Sequence, residues 1–382
     1  MSGVRVPHRP LMKLQPFQLE RYFAKYEFST KYLLSSSDCD GLKQNDLLKL
    51  ADDETKNLWN NLSLGYTESL GLPLLREEIT KMYTGISPDN VLIITPEEGI
   101  FIALNTLLDP GDHVVCTFPG YQSLYEIARG IGCEVTKWLP EEERGWRFNP
   151  DTLRQSIKSN TKLLIINFPH NPTGYMPTKE DFNEIVTIAK EHNLYILSDE
   201  MYRFLELDPR DRLPSMPEVY EKAVSLFGMS KTFGMAGVRI GWLITKDADL
   251  YKKMATLKDY TTICSSAPSE ILSVIAIRAR DTIINTHLER IKRNLLVLNG
   301  FLNTYKSLFA FETPKAGTIG LMKLLGGVSA KVFCEKVVNE AGIMILPSTV
   351  YDYGDSHIRI GFGRENMPEA LKKFDEYLQK SL

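Results

Sequence analysis

Lys231 is the residue in this sequence whose surroundings best suit covalent chemistry. It lies in the stretch GMSKTFGMAGVRIGW, residues 228–242, with Ser230 directly before it and Arg239 eight positions after it. A lysine amine attacks a carbonyl when nearby cations and partial burial keep it neutral, and the small residues on either side leave room for a flat ligand. We therefore predict that Lys231 forms a Schiff base. The alternative is a surface lysine in a glycine-rich loop.

Two further polar segments follow apolar runs that are typical of buried strands. FPHNPTG, which contains Asn171, comes after such a run, and ILSDEMY contains Asp199 and Tyr202 where its own apolar run ends. In an open α/β sheet, ligands bind outside the carboxyl ends of the strands, and the chain between these segments is long enough for a strand and a helix. We therefore expect these three side chains and Lys231 to converge on one crevice.

The order of these segments resembles that of the class I and II aminotransferases. NPTG comes first, then DE followed by an aromatic residue, then SK with an arginine eight positions after the lysine. The resemblance extends along essentially the whole chain. It implies an α/β protein of the PLP-dependent transferase fold type I, with a large domain built on a doubly wound, mainly parallel sheet and a small α+β domain. It also implies pyridoxal 5'-phosphate (PLP) as the cofactor.

The resemblance assigns a role to each of the four side chains. Asp199 would pair with the pyridinium nitrogen of the cofactor, because that positive charge offsets the burial of a carboxylate and keeps the ring protonated as an electron sink. An aspartate that only caps the next element is the alternative. Asn171 and Tyr202 match positions that hydrogen-bond the phenolic oxygen of the cofactor. Lys231, Asp199 and Tyr202 are the predicted catalytic residues.

Other residues match family positions around the ring and the phosphate. Tyr121, in FPGYQSLY, corresponds to the aromatic residue that stacks on the ring, with an ordinary core tyrosine as the alternative. Arg239 offers a planar fork suited to a phosphate dianion, and Ser230 adds a hydroxyl. TPEEGIFIAL should begin a helix whose N-terminus favours the anion, and Thr95 is the phosphate contact that we expect there.

The sequence departs from the family at the phosphate end. Gly228 replaces an upstream serine, which removes one expected side-chain donor. In the turn after Thr95, Pro96 has no amide hydrogen to donate. Glu97 would repel a phosphate unless it turned away, and it is therefore free for another role.

Arg359 and Tyr66 complete the predicted site. By the resemblance, Arg359 binds the α-carboxylate of the substrate through a bidentate pair, with Asn171 as a second substrate-binding residue. Ile358 and Ile360 flank Arg359 on a predicted strand, so its side chain faces either water or the cleft. Tyr66 matches a family tyrosine that reaches the phosphate of the neighbouring subunit, which implies a homodimer with shared active sites.

Apolar runs and helix-like patterns alternate along the chain and predict the elements that position these residues. The strand-like runs are VLII (91–94), HVVCTF (113–118), CEVTKWL (133–139), KLLIINF (162–168), LYILS (194–198), AVSLF (223–227) and VRIGWLI (238–244), followed later by GLMKLL and HIRIGF. The run at 238–244 could be antiparallel, because it follows a short return. Helices are predicted at 17–26, 46–61, 179–192, 329–340 and 368–379, with one or two between 268 and 305.

We expect three units in the chain. Residues 1–45 form an N-terminal arm that packs with the small domain, 46–270 form the large PLP-binding domain, and 271–382 form the small C-terminal domain. The first 16 or so residues are expected to be a loose leader without a secretion signal.

Composition excludes several classes of function. The 382 residues are 43% hydrophobic and 24% charged, which is an ordinary globular composition. A formal net charge of -3 without a long basic run gives no reason to bind nucleic acid, and no apolar run is long enough to span a membrane. The five cysteines are scattered and lack a CxxC pair, so we expect no disulfide framework, no metal site and a cytoplasmic location.

We predict a PLP-dependent aminotransferase that moves an amino group between an amino acid and a 2-oxo acid through a Lys231 Schiff base. The fold hosts other reactions as well. YLLSSSDCDGL, residues 32–42, resembles the serine-rich segment of capreomycidine synthase and related arginine-acting PLP enzymes. The alternative is therefore an oxidase, cyclising synthase or lyase acting on an arginine-like amino acid, with Glu20, Asp38 or Glu97 facing its cationic side chain. A cofactor-binding regulator that has lost catalysis is a third hypothesis, and the combination of Lys231, Asp199 and Arg359 argues against it.

Overall fold

The structure is a computed structural model that describes residues 13–381. Most of the predicted loose leader lies outside these residues. The helices within them are α1 (Gln18–Tyr26), α2 (Gln44–Leu48), α3 (Asp53–Asn60), α4 (Pro73–Thr80), α5 (Pro96–Leu107), α6 (Ser123–Ile131), α7 (Pro150–Ser156), α8 (Lys179–Glu191), α9 (Met216–Val219), α10 (Ala248–Lys258), α11 (Ala267–Arg278), α12 (Arg280–Thr304), α13 (Ala330–Ala341) and α14 (Met367–Ser381).

The strands alternate with these helices in the first two thirds of the chain and are shorter after it. They are β1 (Tyr32–Leu33), β2 (Val91–Ile94), β3 (His113–Thr117), β4 (Glu134–Trp138), β5 (Thr161–Asn167), β6 (Tyr195–Asp199), β7 (Ala223–Gly228), β8 (Gly241–Ile244), β9 (Phe309–Phe311), β10 (Ile319–Leu324), β11 (Ile343–Met344), β12 (Leu346–Pro347) and β13 (His357–Gly361).

A seven-stranded sheet forms the centre of the larger part of the molecule. Its strand order is β2-β8-β7-β6-β5-β3-β4, and β8 runs antiparallel to both of its neighbours while the pairings from β7 to β4 are parallel. The predicted mainly parallel sheet is confirmed, and the run at 238–244 supplies the antiparallel member.

Helices cover both faces of this sheet, which explains the continuous apolar runs. Along β5, Leu163 and Ile165 pack into one hydrophobic cluster, whereas Leu164 and Ile166 pack into another. Successive side chains of a strand point to opposite faces, so both faces of β5 are buried. Such a strand needs apolar residues at every position, and the polar residues of the site are placed beyond its end.

A four-stranded antiparallel sheet, in the order β12-β13-β10-β9, forms the centre of the smaller part. In addition, β1 pairs in parallel with β11, which attaches Tyr32 and Leu33 to the C-terminal part of the chain. The large sheet with a smaller antiparallel one is the architecture of fold type I. The domain boundaries at residues 45 and 270 stay a prediction.

Two predicted elements differ from the structure. The helix expected at 46–61 is two helices, because Asp52 begins a new one by accepting a hydrogen bond from the Thr55 amide at 2.8 Å. The strand expected from residue 238 begins only at Gly241. Before it, Ala236–Val238 form a turn of 3-10 helix and Arg239 adopts a left-handed backbone with φ of 55°.

No helix in the described part of the chain has both the length and the apolar character needed to cross a bilayer.

Candidate active site

A cavity of about 520 Å³ opens at the carboxyl ends of the parallel strands. Asp199 is the last residue of β6, Lys231 follows the end of β7 by three positions, and Asn171 follows the end of β5 by four. The cavity is lined by eight of the predicted site residues, namely Tyr121, Asn171, Asp199, Tyr202, Ser230, Lys231, Arg239 and Arg359. The structure thus brings most of the predicted site together in the crevice that the sheet topology implies.

The Lys231 amine is held at one hydroxyl in this cavity. Its Nζ donates a hydrogen bond to Ser37 Oγ at 2.9 Å. Burial lowers the pKa of Lys231, and the positive charges of Arg359 and Arg239 lower it further, while the carboxylates of Asp38 and Glu20 act in the opposite direction. A lowered pKa increases the fraction of neutral amine, which is the form that attacks a carbonyl.

Asp199 is a buried carboxyl group in the same cavity. Burial raises the pKa of its carboxyl group to about 7, although a hydrogen bond from the Met201 amide at 3.1 Å and the charge of Lys231 favour the ionised form. A buried carboxylate of this kind gains stability from any cation placed beside it. The site therefore contains an acid that favours a positively charged ligand group.

Tyr202 and Tyr121 line the cavity, and their hydroxyl groups differ in hydrogen bonding. The Tyr202 hydroxyl is buried and makes no hydrogen bond of regular geometry within the described residues. Burial raises its pKa, and the nearby Arg359 and Ser37 lower it. The Tyr121 hydroxyl instead donates to Glu20 Oε1 at 3.2 Å. The buried Tyr202 hydroxyl would gain from a ligand that accepts its hydrogen bond.

Arg359 is almost fully buried, with 1% of its surface exposed. Its Nε and Nη2 donate to the carbonyl oxygen of Ser35 at 3.1 and 2.7 Å, which fixes one edge of the guanidinium. Its Nη1 donates to the Tyr351 hydroxyl at 2.5 Å and lies 3.5 Å from Asn171 Oδ1. Arg359 thus faces the cleft, which was one of the two orientations that the strand pattern allowed.

Arg239 and Ser230 form the part of the cavity expected to hold a phosphate. The left-handed backbone of Arg239 turns the chain just before β8, and its Nη1 donates to the Ala236 carbonyl at 2.9 Å. Thr95 does not line the cavity. Its hydroxyl donates to the Arg239 carbonyl at 3.2 Å, and it begins α5 through a capping box with Glu98. Thr95 therefore contacts Arg239 but does not face the cavity.

Tyr66 lies outside this cavity, with 92% of its surface exposed. The adjacent residue Thr67 donates to the Ser265 carbonyl at 3.1 Å, so the Tyr66 loop packs against the loop before α11. Within one chain, Tyr66 is a large aromatic side chain that faces solvent.

Two features of the site were not assigned by the sequence. The first is Ser37, the hydrogen-bond partner of Lys231, which lies in the serine-rich segment at residues 32–42. The second is Glu27, one of four carboxyl groups that line the cavity besides that of Asp199; the other three, those of Glu20, Asp38 and Glu97, are the ones that the sequence offered as partners of a cationic side chain. Asp38 is paired with Arg364 at 3.0 Å from each carboxylate oxygen. Burial raises the pKa of Glu27 and of Glu97, and the negative charge of Glu20 adds to both effects.

Comparisons with known proteins identify the family of this chain. The family described as aminotransferase class I and II matches residues 29–374. An aspartate aminotransferase of Pyrococcus horikoshii is 27% identical over 327 residues, covering 82% of this chain and 83% of the relative. A capreomycidine synthase of Streptomyces vinaceus is 25% identical over 295 residues, covering 76% and 75%.

A solved structure extends the likeness to the whole fold. The crystal structure of a PLP-dependent aminotransferase from Streptococcus suis superposes with a TM-score of 0.90 at 28% identity, covering 97% of this chain and 99% of the other. The family match spans most of the sequence, and the fold is shared nearly from end to end. This chain therefore belongs to the class I and II aminotransferase family and is a PLP-dependent aminotransferase.

Proposed function

We propose that the chain transfers an amino group between an amino acid and a 2-oxo acid, with Lys231 as the lysine that binds the cofactor. The observation that carries the proposal is the common cavity of Lys231, Asp199 and Arg359. Burial shifts the pKa of the lysine down and that of the aspartate up. A nucleophilic amine, an acid that favours a cation and a carboxylate-binding arginine are the groups that this reaction requires.

The side chains of the cavity fit PLP. The buried Asp199 suits a pyridinium nitrogen, and the buried Tyr202 hydroxyl suits an anionic oxygen acceptor. Arg239 and Ser230 would bind the phosphate, and Asn171 and Tyr202 would contact the phenolic oxygen. Tyr121 would lie against the ring. Thr95 stays a proposed contributor through the hydrogen bond of its hydroxyl to the Arg239 carbonyl.

Each of these residues has its own role in the proposed reaction. When bound, PLP supplies an aldehyde for the amine and an electron sink for the electrons released at the substrate Cα. Arg359 holds the α-carboxylate of the amino acid in a bidentate pair, which fixes the Cα relative to Lys231. The Lys231 amine, whose lowered pKa increases its neutral fraction, takes the proton from the substrate Cα as a general base and later gives it up as a general acid. A ring cation beside Asp199 would favour the ionised form of its carboxyl group.

We also propose that the enzyme acts as a homodimer with shared active sites. The exposure of Tyr66 supports this proposal, because an aromatic side chain that faces water in one chain can reach a phosphate in a second one. Leu64, Tyr260 and Ile263 are exposed on the same pair of packed loops.

The reaction can be tested with the purified, PLP-loaded enzyme. Amino acids are added one at a time, first alone and then with a 2-oxo acid acceptor, and the cofactor absorbance and the new oxo acid are measured. We expect a change of the absorbance band with the donor alone and turnover only with the acceptor. Lys231→Ala should bind PLP without turnover. Turnover that needs no acceptor would contradict transamination.

A second candidate function uses the same cofactor site for a different reaction. It is an oxidase, cyclising synthase or lyase acting on an arginine-like amino acid, and the wall of carboxyl groups at Glu20, Glu27 and Glu97 is the observation that favours it. Carboxylates that line the same cavity as Arg359 would pair with a cationic side chain. Arginine is therefore compared with aspartate as donor, with oxygen uptake recorded. Oxygen consumption or a cyclised product without an acceptor would favour the second candidate.

A further inference from the structure

The serine-rich segment, residues 32–42, contacts both Arg359 and Lys231. The carbonyl oxygen of Ser35 accepts two hydrogen bonds from Arg359, and two positions later the Ser37 hydroxyl accepts one from Lys231. One short stretch of backbone thus sets the carboxylate-binding arginine and the cofactor-binding lysine relative to each other.

The small domain holds this segment firmly. The Gly361 amide donates to the Leu34 carbonyl at 2.7 Å, and a Cβ at Gly361 would lie 2.1 Å from the Ser36 carbonyl oxygen, so a side chain there would displace the segment. The Thr318 hydroxyl donates to the Ser37 carbonyl at 2.7 Å. Asp38 is fixed by Arg364. The Ser37 hydroxyl therefore projects from a backbone that is restrained on both sides.

We propose that Ser37 is a positioning residue that orients the Lys231 amine for proton transfer at the substrate Cα. This inference rests on the proposed function. A lysine amine at the end of four methylene groups has many rotamers, and a fixed acceptor at 2.9 Å selects among them. Since the same segment also anchors Arg359, it positions both the Lys231 amine and the arginine that would bind the substrate α-carboxylate.

Removal of the Ser37 hydroxyl has two expected consequences. The amine loses the acceptor that favours its charged form, so the pKa of Lys231 should fall further. It also loses its orientation, so proton transfer should become slower relative to the other steps. Ser37→Thr retains the hydroxyl and should restore both properties.

The kinetic test uses the PLP-loaded enzyme in single turnover with an amino acid and its Cα-deuterated form. In Ser37→Ala we expect the half-reaction to slow by about tenfold, the loss of one hydrogen bond to a charged group, and the deuterium isotope effect to rise. Ser36→Ala is the matched control, because the Ser36 hydroxyl is buried one position away and has no hydrogen-bond partner in the described structure. Equal effects of the two alanine variants would overturn the proposal.

A second readout does not depend on turnover. The full chain is loaded with pyridoxamine 5'-phosphate, which leaves the Lys231 amine free, and trace labelling of that lysine by an amine-reactive reagent is followed against pH by mass spectrometry. Ser37→Ala should shift the labelling profile to lower pH, whereas Ser37→Thr and Ser36→Ala should match the wild type. An unshifted Ser37→Ala profile would overturn the role of Ser37, even if transamination is observed. A wild type that labels as expected but does not transaminate would contradict the proposed function instead.

Discussion

Arg359 and Tyr351 are joined by a hydrogen bond of 2.5 Å from Nη1 of the guanidinium to the phenolic oxygen. Tyr351 is itself buried, and its hydroxyl also lies 3.3 Å from Asn171 Oδ1. The guanidinium is thus held on one side by Tyr351 and on the other by the Ser35 carbonyl. An arginine restrained in this way is oriented before the substrate binds, which reduces the entropy lost on binding.

Tyr351→Phe should therefore raise the KM for amino acid donors by roughly tenfold, about the contribution of one hydrogen bond to a charged group, with a smaller effect on kcat. The ring remains and only the hydroxyl is removed. Tyr353→Phe is the matched control, since Tyr353 packs against the His357 ring and is not bonded to Arg359. Steady-state kinetics with one donor and a saturating acceptor make the measurement. Equal KM values in the two variants would contradict the positioning role of Tyr351.

Asp199 should make the stability of the protein depend on pH in a way that PLP reverses. Its pKa is about 7 in the folded state and near 3.8 in the unfolded chain, so its stabilising contribution is complete below about pH 3.8 and is lost as the pH rises through 7. For protein prepared without PLP, the Tm of Asp199→Asn minus that of the wild type should increase as the pH rises from 5 to 8. With PLP the wild type should be the more stable at pH 8, because the ring cation stabilises the carboxylate.

Glu270 supplies the control for this measurement. Burial raises its pKa to about 7 as well, and it lies at the start of α11, outside the cavity. Glu270→Gln should therefore show the same dependence of Tm on pH, unchanged by PLP. A PLP effect of equal size in both variants would show that Asp199 does not face the cofactor.

The strands and the convergence of the polar residues could be predicted because they follow from local rules. A strand covered on both faces must be apolar at each position, so runs such as the one containing Leu163 and Ile166 marked β5 to within a residue or two. Parallel strands have their carboxyl ends at one edge, and this rule placed Asn171, Asp199 and Lys231 together.

The contacts that the sequence did not reveal depend on distant parts of the chain. Ser37 meets Lys231 across 194 positions, and no spacing rule connects them. Tyr351 lies in a short turn without a motif, although its hydroxyl orients Arg359. The left-handed backbone at Arg239 was also missed, because the apolar residues around it continue the pattern of β8 and a non-glycine residue seldom adopts this conformation.

Arg239→Ala should weaken PLP binding by roughly 10- to 100-fold, the loss of charge-assisted hydrogen bonds to a phosphate. Equilibrium dialysis against PLP, read by absorbance, gives the Kd. Arg144→Ala is the control, since that side chain is 65% exposed, pairs with Glu141 and does not line the cavity. We expect its Kd to equal that of the wild type. Unchanged binding in Arg239→Ala would remove this arginine from the phosphate site.

The exposed Tyr66 leads to a prediction about mixed dimers. If it serves the site of the neighbouring subunit, Lys231→Ala and Tyr66→Ala chains should complement each other. A mixed dimer would contain one site with an intact Lys231 from the second chain and an intact Tyr66 from the first. Co-expression with two affinity tags isolates that dimer. Its activity should approach half of the wild-type value, well above that of either variant alone. If Tyr66 acted within its own chain, the mixed dimer would keep only the defective sites, and its activity would not exceed half that of the Tyr66→Ala dimer.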